Sequence, residues 1–482
     1  MPRNSKKSPS SGQGPDLSNF AVVILAAGKG TRLKSRHPKV LHAIGGKHLV
    51  AHVIAAASEV VPRARIFVVV GHEAERVKQS LAESKVQFVL QSDQRGTGHA
   101  LMCAREALAK FENVLVLSGD VPLIRPETIK SLATFHLKNR AAMTILTARP
   151  PDPSGYGRIV RKRGARNEVA AIVEQSALKG RDAKIGEINS GTYAFRSASL
   201  FKFLDKLNPD NVHHEYYLTD IAALLVRARE RVLALEAEAS EVLGINTRAD
   251  LARLDSLLRR QKCAALMSAG VTIFRPETCM IDAEVEVAAD TIIEPFVHLL
   301  GKTRIGSDCH IGSFSVLRDS ELAHQVEVRP GCVITESRVA SGASLGPYSH
   351  LRPGTEVGEA AYVGNFVETK KTRIGRGAKA NHLTYLGDSE IGENVNVGAG
   401  TITCNYDGVN KHRTIIEAGA FIGSDATLVA PVRIGAGAYV AAGSCITEDV
   451  PADSLALARA MQTVKEGWVS KRRESRSAAR KS

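Results

Sequence analysis

The sequence predicts an α/β doubly wound, Rossmann-like domain followed by a parallel β-helix. Two observations carry this reading. Between residues 19 and 246 short apolar runs alternate with helical stretches, the pattern of strands and crossover helices in an open parallel sheet. From Ile281 onward an aliphatic residue recurs every six positions. Six is neither the helical period nor a simple alternation, and it marks one short side of a three-sided coil.

Bulk properties agree. At 482 residues the chain has room for two or more domains, and 44% hydrophobic residues mark it as globular. Aromatics at 5% suit a solenoid whose narrow axis is filled by Val, Ile and Leu. No apolar run is long enough to span a bilayer. Residues 1–18 (MPRNSKKSPSSGQGPDLS) lack the apolar core of a secretory signal and read as a polar, disordered extension. No two of the seven cysteines lie within four positions of each other. That argues against a zinc cluster or disulfide framework and for a reduced cytoplasm. The net charge of +14 is concentrated at the ends: residues 459–482 carry eight Lys/Arg against two Asp/Glu, and residues 1–18 carry three against one. The basic C-terminal tail is read as solvated, or as an aid in attracting phosphorylated substrates, rather than as a nucleic-acid site.

In chain order, Ala21–Ala26 is a buried strand running into Ala27-Gly28-Lys29-Gly30-Thr31-Arg32. Glycines there let backbone N–H groups approach a phosphate, and Lys29 and Arg32 add charge. A dinucleotide fingerprint would need glycine where Leu33 stands, and a P-loop would need Gly-Lys-Ser/Thr, so both are excluded. Lys39 follows in HPKVLH, flanked by His37 and His42. Strands at Ile66–Val70, Val86–Leu90 and Val114–Leu117 lead into Gly71-His72, into Gln91 with Arg95-Gly96-Thr97-Gly98-His99-Ala100, and into Ser118-Gly119-Asp120. An acidic residue just past the carboxyl end of a parallel strand meets a ligand or metal in open α/β sheets; the alternative for Asp120 is a turn residue before Pro122.

LAAGKGTRL, PKVLH, QRGTGHA and GDVPL, in this order and spacing, resemble the nucleotide-sugar pyrophosphorylase (nucleotidyltransferase) family. GYGRIV (Gly155–Val160), IVE (Ile172–Glu174), EINSGTY (Glu187–Tyr193) and GIN (Gly244–Asn246) resemble its uridylyltransferase branch. The resemblance implies that Leu25, Ala26, Ala27, Gly28 and Gln91 meet uracil and ribose, with Gly96 and Thr97 beside the base. It implies that Arg32 and Lys39 hold phosphates, that Asp120 and Asn246 bind Mg²⁺, and that Gly157, Glu174 and Asn189 meet the N-acetylglucosamine unit. Ser118, before Gly119 and Asp120, stands where that family usually has an aromatic residue. The chemistry suits these residue types, because nucleotidyl transfer needs positioning and charge neutralisation more than a protein nucleophile.

Residues 247–270 read as one long linker helix. Thr247 is its N-cap, Leu251, Leu254 and Leu258 share a face, and Arg253, Arg259 and Arg260 point to solvent. No chemistry is expected there.

The ladder follows, over residues 271–458. Ile281, Val287, Ile293, Leu299, Ile305, Ile311 and Leu317 hold the six-residue phase, and Val333, Val339, Leu345, Leu351, Val357 and Val363 resume it after a shift. Ile422, Leu428, Ile434, Val440 and Ile446 complete it. Glycine often follows the ladder residue, as at Gly306, Gly358 and Gly423, and is expected to supply unusual backbone angles at tight corners. The [LIV]-G-x-x-x-x form resembles the left-handed β-helix of hexapeptide-repeat acyltransferases, which implies the hand.

Where the ladder is interrupted, polar residues crowd: Lys370, Lys371, His382, Tyr385, Asn396 and Asn405. NFVE-x-KK, HLTYLGD and GAGTITCNYDG resemble the acetyltransferase half of a bifunctional uridylyltransferase/acetyltransferase family, and the likeness spans roughly residues 20–460. It implies that His382 is the general base that deprotonates an amine before attack on acetyl-CoA. It also implies Arg352 and Lys370 on the phosphate of glucosamine 1-phosphate, with Tyr385 and Asn396 on its sugar. Asn405, Tyr406, Ser424, Ala442 and Arg459 would meet acetyl-CoA, and the Ala399 N–H would steady the thioester oxyanion. Cys404 as a thiol acyl carrier is the disfavoured alternative, since no neighbour in sequence marks an activated thiolate. The family further implies a homotrimer, UTP and N-acetylglucosamine 1-phosphate as substrates of the first half, and a product, UDP-N-acetylglucosamine, that feeds peptidoglycan and lipopolysaccharide. A single-activity nucleotidyltransferase, a non-catalytic scaffold and a chain that keeps only the acetyl activity, at which Ser118 alone hints, are the rival readings. The second polar cluster opposes the first of these, and the intact glycine turn with Asp120 opposes the second.

Overall fold

A computed structural model describes residues 16–165, 167–211 and 214–479. The expected disordered extension therefore falls almost wholly outside the described residues. The chain divides into two compact units, Met1–Leu258 and Arg259–Ser482.

In the first unit the apolar runs form strands β1 (Phe20–Leu25), β2 (Ile66–Val70), β3 (Gln87–Leu90), β4 (Asn113–Ser118), β5 (Met143–Ala148), β6 (Arg158–Arg161), β7 (Val169–Val173), β8 (Ile188–Arg196) and β9 (Val232–Glu236). The sheet order is β9-β5-β8-β4-β1-β2-β3, with the β6–β7 hairpin attached to β8. Alternation explains why β1 is apolar throughout. Phe20, Val22 and Ile24 enter one core with the helices Leu49–Ser58 and Pro126–Lys138. Ala21 and Val23 enter the opposite core with Thr97–Leu108, Ser197–Leu204 and Asp220–Arg227. Such two-sided burial is what a doubly wound sheet requires. Two strands run against the parallel set: β8, antiparallel to both β4 and β5, and β7 of the hairpin, antiparallel to β6. β4, β1, β2 and β3 remain parallel, so the loops at their carboxyl ends open on one edge.

The second unit is a left-handed parallel β-helix of three sheets, with eleven, ten and nine short strands. Each coil pairs in parallel with the next, as in Ile293↔Ile311, Leu299↔Leu317 and Ile305↔Leu322. Leu322 shows why the phase shifts. Several coils shorten the step onto the third sheet by one residue, so the ladder runs Leu317, Leu322, Val328, Ile334, Val339. Val333 is accordingly a correction: it is exposed, and Ile334 is the fully buried ladder residue.

The glycines need a second correction. Gly346 does have positive φ, at 89°, and left-handed corners are held both by other glycines, such as Gly331 and Gly400, and by residues such as Asp308, Phe314 and Asp425. Gly306, Gly358 and Gly423, however, do not have positive φ. What those glycines provide is room for the next coil. A Cβ at Gly423 would lie 2.4 Å from the Ala442 nitrogen, and one at Gly306 would lie 2.6 Å from the Ala323 oxygen.

The helix Arg248–Ser268 matches the expected linker. Leu254 is buried, but Arg259 does not point to solvent: it donates to the buried Asp282 at 2.9 Å. Within the basic tail, Trp468–Ala479 is helical, and Arg472 stacks over the Trp468 ring at 4.8 Å.

Candidate active sites

In the first unit, the loops after β1, β3 and β4 enclose a cavity of about 810 Å³ together with Lys39, Glu215 and Asn246. Leu25, Ala26, Ala27, Gly28 and Arg32 line it from the glycine turn, Gln91, Gly96 and Thr97 from the second loop, and Ser118 and Asp120 from the third. Gly30 sits at φ 63°, and a Cβ there would lie 2.5 Å from that of Lys39, so glycine both makes the turn and seats the lysine stem. Gly119 passes so close to β1 that a Cβ would meet the Leu25 oxygen at 2.9 Å. Ser118 donates to the Gly191 carbonyl at 3.3 Å.

Gln91 is 3% exposed. Its amide nitrogen donates to the Gly96 carbonyl at 3.0 Å and faces His99 Nδ1 at 3.2 Å. Because a carbonyl can only accept, the amide nitrogen faces Gly96 and the orientation of the Gln91 side chain is fixed. His99 supports this arrangement; its motif was quoted from the sequence without a role for it, and nothing in the sequence marked Glu215.

The charged end of the cavity is more compact than the spacing predicted. Lys39 Nζ pairs with Asp120 Oδ2 and lies 2.8 Å from Asn246 Oδ1. Arg32 donates to that same amide oxygen at 2.7 Å. Asn246 is held by the start of the linker helix, where Thr247 and Asp250 form a reciprocal cap. Asp250 N donates to Thr247 Oγ1 at 3.1 Å, while Asp250 Oδ2 accepts from Asn246 N at 3.1 Å and from Thr247 N at 2.9 Å. Burial alone would raise the Asp250 carboxyl, but hydrogen bonds from Thr247 and Asn246 outweigh it and hold the pKa below the usual carboxylate value. Gly244 N donates to Tyr156 Oη at 3.0 Å, and Ile245 N donates to the Asp120 carbonyl at 3.0 Å. The linker helix, for which no chemistry was expected, thus bonds through its cap to Asn246, one of the residues expected at the site. A carboxylate and an amide oxygen converging on one ammonium also fit Mg²⁺, which takes few protein ligands and keeps water and phosphate oxygens.

Gly157, Glu174 and Asn189 form a neighbouring group. Asn189 N donates to the Gly157 carbonyl at 2.9 Å, its side chain donates to Tyr193 Oη at 2.9 Å, and Glu174 accepts from Thr219 Oγ1 at 2.7 Å.

In the β-helix, four predicted residues stand in single file. Ala380, Val397, Ile422 and Val440 pair from coil to coil, and two residues past each lie His382, Ala399, Ser424 and Ala442. Backbone bonds knit this edge, from Asp425 N to the Ala399 oxygen at 2.7 Å and from Gly443 N to the Ser424 oxygen at 2.8 Å. Arg459 reaches back to the Ala442 carbonyl at 2.9 Å. Among the described residues the Ala399 N–H donates to no carbonyl, as an oxyanion contact requires.

On the adjoining sheet Arg352 and Lys370 occupy equivalent places on successive coils, one residue past the paired Leu351 and Thr369. Arg352 also pairs with Glu368 at 2.8 Å. Lys411, which no sequence argument singled out, joins them across the Tyr406–Lys411 bridge. Hydrogen bonding and repulsion from Lys411, then repulsion from Arg352, hold the Lys370 ammonium below its ordinary pKa. Three cations so close suit a phosphate dianion. Asn405 donates to Asp388 Oδ2 at 2.5 Å, and a Cβ at Gly387 would lie 2.5 Å from Tyr385 Oη and 2.8 Å from Asn405 Nδ2, so glycine lets both side chains pack there. Asn396 lies on the other sheet, beyond the edge formed by His382 and Ala399. Tyr406 is exposed and donates to the Gly408 carbonyl at 2.5 Å. Burial pushes the Cys404 thiol above its ordinary pKa, opposite to what a thiolate acyl carrier needs.

Comparison with known proteins settles the family. Residues 22–189 match the MobA-like NTP transferase domain, and residues 284–319 and 413–448 match the bacterial transferase hexapeptide repeat. The chain is 62% identical to "Bifunctional protein GlmU" of Koribacter versatilis (strain Ellin345), over 94% of this chain and 97% of the relative. The chain belongs to the GlmU family. Relatives of the same name in Solibacter usitatus (strain Ellin6076) and Clostridioides difficile (strain 630) are 51% and 43% identical, over 94% and 95% of this chain and 98% of each relative. As a GlmU-family protein it is a bifunctional transferase with a uridylyltransferase unit and a hexapeptide-repeat acetyltransferase unit, and it serves the synthesis of UDP-N-acetylglucosamine.

Proposed function

We propose how the residues divide these two activities. The cavity of the first unit takes UTP and N-acetylglucosamine 1-phosphate. Gln91, Gly96 and Thr97 meet the base, Leu25 to Gly28 the nucleoside, and Gly157, Glu174 and Asn189 the sugar. The observation that carries the assignment is the convergence of Lys39, Arg32, Asp120 and Asn246 at the glycine turn. A sugar phosphate oxygen attacks the α-phosphorus of UTP, the bond to the bridging oxygen breaks, and pyrophosphate leaves. Lys39 and Arg32 offset charge on the leaving group. Mg²⁺ held by Asp120 and Asn246 would supply further charge neutralisation.

In the β-helix, His382 takes a proton from the ammonium of glucosamine 1-phosphate, whose phosphate is bound by Arg352, Lys370 and Lys411. The freed amine attacks the thioester carbonyl of acetyl-CoA, the oxyanion meets the Ala399 N–H, and coenzyme A leaves as the thiol. The file of Ser424, Ala442 and Arg459 beyond His382 and Ala399 supports an extended acetyl-CoA along this edge. Acetylation precedes uridylylation.

We assign the protein to the cytoplasm, supported by seven free cysteines; among the described residues no helix is long and apolar enough to cross a membrane. A homotrimer is supported by apolar surface on the β-helix. Phe296, Phe314, Tyr348, Phe366 and Leu383 follow one another along one edge, exposed by 44%, 64%, 57%, 57% and 65%. Phe296 stacks on Phe314 and Tyr348 on Phe366. Such a stripe favours cover by another copy.

The test incubates the protein with Mg²⁺, UTP, acetyl-CoA and glucosamine 1-phosphate while following free coenzyme A and pyrophosphate separately. Release of both, with pyrophosphate dependent on prior acetylation, is expected. Pyrophosphate only from supplied N-acetylglucosamine 1-phosphate, with no coenzyme A, would refute the role given to His382.

A further inference from the structure

We infer that Lys39 is the resident counter-ion of the metal-ligand pair. It positions Asp120 and Asn246 toward one point, and it surrenders that place only when a triphosphate draws its ammonium away. The inference rests on the reading that Asp120 and Asn246 take Mg²⁺.

Three observations carry it. Lys39 Nζ contacts both proposed ligand oxygens at once, Asp120 Oδ2 as an ion pair and Asn246 Oδ1 at 2.8 Å. Both side chains are largely shielded, with Lys39 15% and Asp120 24% exposed, so the pair is worth more than a surface contact. The lysine stem is seated against Gly30, where even a methyl group would collide with it, so a change of partner falls to the ammonium end of the side chain. That head lines the same cavity as the glycine turn.

The oxygens have lone pairs to spare, as Arg32 beside Lys39 on Asn246 shows, but a dication and an ammonium held at the same two oxygens repel each other. Metal entry therefore requires the lysine to leave, and leaving is unfavourable until another anion receives it. The β- and γ-phosphates of UTP are such an anion. Nucleotide and metal should thus bind cooperatively, each removing the obstacle to the other. The nucleotide-free protein should bind a free divalent cation poorly.

The test titrates full-length protein with Mn²⁺ in the absence of nucleotide, reading the free ion by electron paramagnetic resonance. Lys39→Met should bind Mn²⁺ about tenfold more tightly than the wild type, the factor expected for release of a charge-assisted hydrogen-bonded pair. Lys39→Met combined with Asp120→Asn should lose the gain, and Lys39→Arg, which keeps the charge, should stay as weak as the wild type. A Lys39→Met protein that binds no more tightly than wild type, or a Lys39→Arg protein that does, would overturn the inference. The underlying metal assignment is tested separately, by uridylyl transfer of the wild type without divalent cation and of Asp120→Asn with it. Undiminished transfer in either case would remove the metal from these ligands whatever the Mn²⁺ titration shows.

Discussion

Lys411 shows how a single side chain can complete a site that spacing does not reveal. It is brought to Arg352 and Lys370 by the hairpin closed at Tyr406 and Lys411, and its effect appears as the lowered pKa of Lys370. Lys411→Ala should raise the KM for glucosamine 1-phosphate in acetyl transfer by about tenfold, the worth of one charge-assisted contact. Uridylyl transfer should not change, and initial-rate kinetics of both reactions check this. The residues legible in the sequence were those inside short local motifs: Lys39 in PKVLH, Asp120 in GDVPL, His382 in HLTYLGD. Lys411 and Glu215 were not legible, because each reaches its place through pairing or packing that no local pattern records, and His99 stands inside QRGTGHA although its contact with Gln91 is not written there. Val333 was misread for a related reason. One shortened step moved the ladder by a single residue, and in a strand that exchanges inside for outside.

At the scale of elements, the helix Pro126–Lys138 buries His136 beneath the sheet, 2% exposed, beside Thr144 Oγ1 at 2.9 Å. Burial, with a smaller contribution from Arg196, lowers its pKa from the ordinary 6.5 to about 4. The unfolded chain then binds a proton between those values that the folded chain refuses. The stabilisation is fully present above pH 6.5 and declines as pH falls from there toward 4, by roughly 2 kcal/mol at pH 5. The imidazole resonance of His136 should titrate near pH 4, and the first unit should lose denaturant resistance between pH 7 and pH 5. A His136 resonance titrating near 6.5 would contradict the burial argument. The linker helix teaches the same lesson in another form. Its length and its cap at Thr247 could be read from sequence, but the bond from Asn246 to Asp250 that ties the cap to the site could not. The unusual backbone angle expected of the glycines that follow ladder residues holds at Gly346, φ 89°, but not at Gly306, Gly358 or Gly423, since a one-dimensional pattern shows where glycine recurs and not how closely the next coil passes.

At the scale of the whole molecule, both fold classes were legible because each leaves a simple pattern, apolar runs alternating with helical stretches in the first unit and an aliphatic residue every six positions in the second. The antiparallel β8 was not, since its direction depends on a connection rather than on its own residues. The exposed aromatic edge bears on assembly. If the proposed trimer packs through this edge, Phe314→Glu combined with Tyr348→Glu should leave a monomer in sedimentation, and acetyl transfer should fall with it if the acetyl site needs a neighbouring copy. A trimer that survives both changes would place the contact elsewhere.

The central claim is that two chemically independent sites share this chain, one built on Asp120 and the other on His382. The most direct test is to measure both half-reactions in His382→Ala and Asp120→Ala, each supplied with its own substrate. His382→Ala should lose acetyl transfer by at least about a hundredfold, as expected for removal of a general base, and keep uridylyl transfer; Asp120→Ala should do the reverse. Loss of both activities in either folded variant would contradict the account.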